Sequence, residues 1–172
     1  MTKKDLQVSE EKFRSISDLV QDAILIMDTQ GNISYWNNAA EIIFGYSVQE
    51  AFGKKLHTLL IPNRYQAAYK RGFSKFKTTG QGPTIGKTFE IEATRKDGTE
   101  IPIELSVSAK KIKGEWNAIG IIRDITKRKQ VENELKQISE KLKQSLEGIV
   151  EVVASTVELR DPYTAGHQRR VA

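Results

Sequence analysis

The stretch Asp22-Ala-Ile-Leu-Ile-Met-Asp-Thr-Gln-Gly-Asn-Ile-Ser-Tyr-Trp-Asn37 decides how the rest of the chain is read. Ala23 to Met27 is a short apolar run of the length of a buried strand. Thr29-Gln30-Gly31-Asn32 supplies turn residues that tolerate positive φ, and Ile33-Ser34-Tyr35-Trp36 resumes as a strand. Together they predict a hairpin. Upstream, Leu6, Phe13, Ile16 and Leu19/Val20 mark one apolar side of a helix over residues 6–20. Downstream, Asn37 or Asn38 is placed to cap a short helix through Phe44 that Gly45 stops. Ser47-Val-Gln-Glu50 has the pattern of a capping box, ending at Gly53. Pro62 opens a longer helical stretch to about Lys77, and Thr79-Gly-Gln-Gly-Pro83 follows as a loop.

Three more strands are predicted, roughly Lys87 to Thr94, Glu100 to Lys110 and Trp116 to Thr126. Lys96-Asp97-Gly98 is the turn between the first two. Ile101, Ile103, Leu105 and Val107 alternate cleanly, so one face of the sheet is buried. Two strands, several short helices and three antiparallel strands make an α+β domain, one sheet covered by helices. Beyond Thr126 the chain turns charged and helical to about Arg160. Its apolar residues (Val131, Leu135, Ile138, Leu142, Leu146, Ile149 or Val150, Val153, Val157) step by three and four, except for two fours in a row at Ile138–Leu142–Leu146. An extra step of that kind locally unwinds a coiled coil. So long and narrow a stripe predicts a helix that pairs with a second copy of itself; the alternative is a helix folded back on its own domain.

The 172 residues carry 38% hydrophobic and 28% charged side chains, the balance of a soluble globular chain. The apolar runs are too short to span a bilayer and the N-terminus lacks a signal-peptide core, so a cytoplasmic location is expected. With no cysteine there is no disulfide framework, thiolate metal site or cysteine nucleophile. The net charge is +5, and Ala51 to Phe89 contains eight basic residues (Lys54, Lys55, Arg64, Lys70, Arg71, Lys75, Lys77, Lys87) and no acidic one. Such a stretch favours an anionic ligand or partner, although a solvated helix face explains it more simply. No groove-reading motif accompanies it, and no nucleic-acid partner is expected.

Taken in order, these elements resemble the PAS/PAC family over roughly residues 10–130. The Asp22–Asn37 stretch is similar to the family's first hairpin. Ala40-Glu41, Phe44-Gly45-Tyr46-Ser47 and Gly53-Lys54 resemble its next helices and turn, and Arg95-Lys96-Asp97-Gly98 with Ile101-Pro102-Ile103-Glu104 its central strands. Arg123-Asp124-Ile125-Thr126 resembles the signature that ends the last strand. The resemblance implies a five-stranded antiparallel sheet in the order 2-1-5-4-3, with short helices enclosing a cavity on one face and a long C-terminal helix. It divides the chain into an N-terminal helix (1–20), a sensor domain (21–126) and a linker helix (127–160). It also implies that Asp124 and Thr126 join sensor to output helix, with Arg95 or Lys96 of the neighbouring hairpin within reach of the carboxylate.

A second resemblance occupies 161–172. Arg160-Asp-Pro-Tyr-Thr-Ala-Gly-His167-Gln-Arg-Arg-Val171 is similar to the opening of an HD-GYP phosphodiesterase domain, in which the equivalent of His167 is the first ligand of a metal cluster that hydrolyses cyclic di-GMP. Tyr163 stands where some members carry an extra glutamate ligand, which argues for two metals over three. The rest of that domain's signature would lie past Ala172. A hydrolytic metal site needs three or more protein ligands per ion or shared ones, and this chain has two histidines, His57 and His167. No catalytic residues are therefore expected within it.

The expected role is a sensory module that binds a small molecule and signals through a dimeric helix to the phosphodiesterase. The alternative is a ligand-free dimerisation module. An independent enzyme is disfavoured for want of a nucleophile–base or paired-carboxylate constellation. A sensor kinase would need a phosphoacceptor histidine in 127–160, where there is none, and a cyclase would need its own signature after the linker. The pocket candidates are Trp36, Leu60, Tyr65, Tyr69, Phe73, Phe89, Ile103, Leu105, Ile119 and Ile121, which suit a small acidic or aromatic ligand. The cofactor is left open. A flavin–cysteinyl adduct is excluded without cysteine; Tyr69 stands where haem-binding members have their proximal histidine, but an ordinary tyrosine is commoner than a haem ligand. His57 reads as a partly exposed histidine.

Overall fold

A computed structural model describes residues 3–160; the segment resembling an HD-GYP opening, with His167, lies outside the described residues. The elements are α1 (Lys3–Leu19), β1 (Ala23–Met27), β2 (Ile33–Trp36), α2 (Asn38–Phe44), α3 (Val48–Ala51), α4 (Leu56–Leu60), a 3-10 turn (Asn63–Tyr65), α5 (Gln66–Thr79), β3 (Lys87–Thr94), β4 (Glu100–Ile112), β5 (Glu115–Asp124) and α6 (Thr126–Arg160). They fall into two units, one ending at Lys127 and the other beginning at Arg128.

In the first unit the strands form one antiparallel sheet in the order β2-β1-β5-β4-β3. The β1–β2 turn is closed by Asp28, whose Oδ1 accepts from the backbone N–H of Gln30 and Asn32, both at 2.8 Å. Gly31 takes the positive φ of 84° that this turn demands. Ala23, Leu25 and Met27 are buried and Ile24 and Ile26 less so, the period-2 pattern of a strand with one face on the core. That core gathers Leu25, Ile33, Trp36, Phe44, Leu60, Ile101, Ile103 and Ile122, with smaller side chains between them.

Of the two asparagines able to cap α2, Asn37 does so, its Oδ1 accepting from Ala40 N–H at 3.0 Å. Ser47 and Glu50 form the capping box of α3 in both directions. The helical stretch expected from Pro62 begins there as a 3-10 turn, Asn63–Tyr65, and becomes α-helical, as α5, at Gln66; α4 is a separate helix that ends before the proline. Pro62 sets that boundary, because it holds Ile61 in extended geometry and cannot continue the preceding helix. At the other end Gly80 caps α5 with φ 67°, and a Cβ there would overlap the Trp116 ring. Both conformation and space therefore require glycine. The last strand ends at Asp124, two residues before the expected Thr126, which instead opens α6.

In the second unit α6 carries the narrow stripe from Val131 through Leu135, Ile138, Leu142 and Leu146 to Val153, each more than two-fifths exposed. The side chain of Val157 lies outside the described residues. Polar neighbours pair along the helix, as in Arg128–Glu132 at 3.7 Å and Lys143–Glu147 at 4.0 Å. Such exposed pairs add only tenths of a kcal/mol each, so they do not account for a helix of this length.

Candidate functional site

The helices do not lie flat on the sheet. Between α4, the 3-10 turn and α5 on one side and the sheet on the other is a cavity of about 280 Å³. From α5 it is lined by Ala68, Tyr69, Gly72, Phe73 and Phe76, the face given by helical steps of one, three and four. Its floor comes from alternate residues: Ile103, Leu105 and Val107 of β4, and Ala118, Gly120 and Ile122 of β5. The smallness of Ala118 and Gly120 creates the room. A Cβ on Gly120 would stand 3.1 Å from Leu25 and 3.6 Å from Leu105. The Gly82-Pro83-Thr84-Ile85 loop and Phe89 of β3 close the remaining side.

Seven of the ten residues expected at the pocket (Leu60, Tyr65, Tyr69, Phe73, Phe89, Ile103 and Leu105) line this cavity. Three do not. Trp36 packs on Phe44 with ring centroids 5.6 Å apart, and its Nε1 donates to the carbonyl of Tyr46 at 3.1 Å, in the core beyond the cavity. Ile119 and Ile121 point to the opposite face of the sheet, and Ile121 is 45% exposed. A strand read one residue out of phase exchanges its two faces. Bulk favoured the isoleucines, whereas the inward residues are small. Met27, Phe76 and Val107 were also missed; Val107 continues the alternation already noted for β4.

None of the eight basic residues between Ala51 and Phe89 lines the cavity. All are exposed, because on α5 the apolar face takes the interior and leaves the cations outside. The polar groups of the wall are few. The Tyr69 hydroxyl donates to Met27 Sδ at 3.3 Å, and its ring is stacked between His57 (5.2 Å) and Phe73 (5.5 Å). Burial, and then the charge of Asp28, push the Tyr69 phenol up to about 12. That disfavours the phenolate needed to ligate a haem iron. His57 Nδ1 is buried with no hydrogen-bond partner among the described residues. Burial first, then Lys70 and Lys55, hold this imidazole below its ordinary range, so it is neutral at neutral pH. At the rim Tyr65 donates to Glu92 at 2.5 Å while Arg64 bridges Glu92 (3.5 Å) and Glu100 (2.7 Å). The Tyr65 hydrogen bond, ahead of Arg64, holds the Glu92 carboxyl below the usual carboxylate range.

The junction of β5 and α6 is a second polar cluster. Asp124 Oδ2 lies 2.7 Å from Arg95 Nη2, and its Oδ1 accepts from Thr126 N–H at 2.8 Å. One carboxylate thus ties the β3–β4 turn to the first residue of the helix. Lys96, the other expected partner, turns away: its Nζ lies 2.6 Å from Glu50 and its N–H donates to the carbonyl of Phe44. The chain turns at Lys96 and carries its side chain toward Glu50, so Asp124 is met by Arg95 alone of the two. Arg95 Nε and Thr126 Oγ1 are buried without partners among the described residues, and Ile125 beside them is 2% exposed. No group of three or more His, Asp or Glu placed to hold a metal ion occurs among the described residues. No helix among them is long and apolar enough to cross a membrane.

Comparison with known proteins places this geometry. The sensor protein FixL of Bradyrhizobium diazoefficiens is 31% identical over 137 residues, which cover 80% of this chain and 27% of FixL. The methyl sulfide methyltransferase-associated sensor of Methanosarcina acetivorans is 33% identical over 129 residues, 74% of this chain and 12% of that protein. The chain therefore spans about a quarter or less of the length of these relatives. Among solved structures, the PAS domain of a protein from Colwellia psychrerythraea superposes with a TM-score of 0.56 at 30% identity, covering 69% of this chain and 98% of that one. The sequence profile of the PAS domain matches residues 21–127. With that match over more than half its length, the five-stranded order and the helix-walled cavity, the chain belongs to the PAS domain family, whose members are sensory domains and not catalytic ones.

Proposed function

We propose that this domain binds a small, largely apolar molecule in its cavity and passes occupancy through the Asp124 junction into α6. Paired with a second copy of α6, the module would control a C-terminal HD-GYP phosphodiesterase acting on cyclic di-GMP. The cavity carries this reading. Its volume of about 280 Å³ lies just below the about 300–1,000 Å³ typical of ligand sites. Its wall favours an aliphatic or aromatic body over the small acidic ligand that the basic stretch suggested. The output reading rests on the resemblance of Arg160–Val171 to an HD-GYP opening, and residues 127–160 contain no histidine to serve a kinase.

Cavity filling tests the first half. Ala118→Leu places a larger side chain on the floor, opposite α5. Native mass spectrometry should find a small molecule on the wild-type chain and at least tenfold less on the variant. The unfolding free energy should change by less than about 1.5 kcal/mol, since the added methyl groups enter existing space. A wild-type mass equal to that of the bare chain, under gentle ionisation and after incubation with apolar probes, would leave only a ligand-free dimerisation module.

Helix pairing is tested separately. Leu135 and Leu142 are 61% and 59% exposed on one stripe, and pairing would remove both from water. Leu135→Lys with Leu142→Lys should convert a homodimer to a monomer in light scattering, because two lysines per helix would face their copies across the seam. A wild-type chain already monomeric at high micromolar concentration rules the pairing out.

A further inference from the structure

We infer that the cavity's ligand is an anionic amphiphile whose headgroup sits outside the apolar chamber, against Arg71 and Lys75 of α5. The inference rests on the cavity-binding reading above and adds the chemistry of the ligand's polar end. Of the residues lining the cavity, Ala68, Pro83, Thr84 and Glu92 are exposed, and Ala68, Pro83 and Thr84 mark where it meets solvent beside α5. They lie where α5 meets the 82–84 loop, in close contact: a Cβ on Gly72 would approach the Pro83 ring to 3.3 Å. Arg71 is three residues after Ala68 and next to Gly72, and Lys75 is four after Arg71. Helical periodicity therefore puts both cations on the flank of α5 that borders the opening. Lys70 and Lys77 fall on the other flank, where Lys70 acts on His57.

The charges at the opening are unevenly committed. Glu92, the acidic residue of the rim, is taken up by Tyr65 and Arg64. Arg71 and Lys75 have no acidic partner among the described residues, and both are exposed. Thr84 adds an exposed hydroxyl on the same side. An apolar chamber with one neutralised acid and two uncommitted cations at its opening matches an apolar chain ending in a carboxylate. The body would be desolvated inside, and the charge would keep its water at the rim. This assigns to part of the basic stretch a role that a merely solvated helix face would lack.

The test compares decanoate with decanol, both below their self-association limits, by calorimetric titration of the full chain. Decanoate should bind about tenfold more tightly at low salt, the scale expected for two exposed charge contacts. High salt should erase most of that advantage and leave decanol unchanged. The double variant Arg71→Gln, Lys75→Gln should bring decanoate to the affinity of decanol without altering decanol binding. Equal affinity of the two probes for the wild-type chain, or a double variant with undiminished preference for decanoate, overturns the headgroup site while the apolar cavity stands. Binding of neither probe removes the cavity reading and this inference together. Should the double variant fail to fold, the wild-type salt dependence decides alone: a preference for decanoate that survives high salt is not electrostatic, and the inference falls.

Discussion

Asn37→Ala is expected to remove roughly 2–4 kcal/mol from the stability of the sensor domain, summing about 1 kcal/mol for the lost cap and about 1–3 kcal/mol for the Ile24 N–H left bare. Asn37 is 2% exposed and its amide is fully engaged. Oδ1 accepts from Ile24 N–H at 2.9 Å and Ala40 N–H at 3.0 Å; Nδ2 donates to the carbonyls of Ser17 at 3.0 Å and Asp22 at 3.1 Å. Ala40 N–H keeps a second acceptor in the Asn37 carbonyl, but Ile24 N–H loses its side-chain acceptor. One side chain thus joins the end of α1, the start of β1 and the first turn of α2. Against a total of about 5–15 kcal/mol for an ordinary domain, that loss is a large fraction of the stability. Urea denaturation of wild type and variant measures it, with the slope compared to establish that the same surface unfolds. A loss under about 1 kcal/mol would mean that water replaces the amide and that the cluster is not closed.

The parts of this fold that were readable in the sequence are those carried by local signals. The hairpin at Asp28–Asn32, the capping box at Ser47–Glu50 and the alternation of Ile101, Ile103 and Leu105 each lie within a few residues of chain. The sheet order was readable only through resemblance, because pairing of β1 with β5 joins Ala23 to Ile122 with no local trace. Asn37 illustrates the boundary. Its capping role is local and was one of two options, whereas its bonds to Ser17 and Asp22 depend on where α1 comes to rest. The cavity was half readable. Large apolar residues announce a wall, but the space is made by Ala118 and Gly120, and small residues in a strand give no signal of a void. The same bias toward bulk misplaced Ile119 and Ile121. Arg95 and Lys96 are both cationic candidates for Asp124 until a turn geometry selects between them.

That selection sets the largest functional effect. In a protein carrying the output domain, Asp124→Ala is expected to abolish the response to ligand while leaving the sensor folded and its occupant bound. The fold should survive because the Arg95 and Asp124 side chains are 34% and 24% exposed, and water can reach what the aspartate leaves. Loss of a charge-assisted contact of this kind costs about 1–3 kcal/mol. An allosteric coupling is typically worth about 1–3 kcal/mol, a five- to 150-fold effect. The contact is therefore large enough to carry the whole signal, and a ligand need only favour one arrangement of the β3–β4 turn over another. Phe89 and Ile91 line the cavity on the strand that runs into Arg95 and would, under this proposal, carry the change. Arg95→Lys should weaken the response without removing it, as an ammonium keeps the charge but not the planar fork. Lys96→Ala, which removes the contacts with Glu50 and the Tyr46 ring but none with Asp124, should leave the response intact. Circular dichroism and ligand retention check the first half, and output activity with and without ligand the second. If Asp124→Ala responds with the wild-type fold change, Asp124 does no more than cap Thr126, and the signal leaves the sheet by another strand.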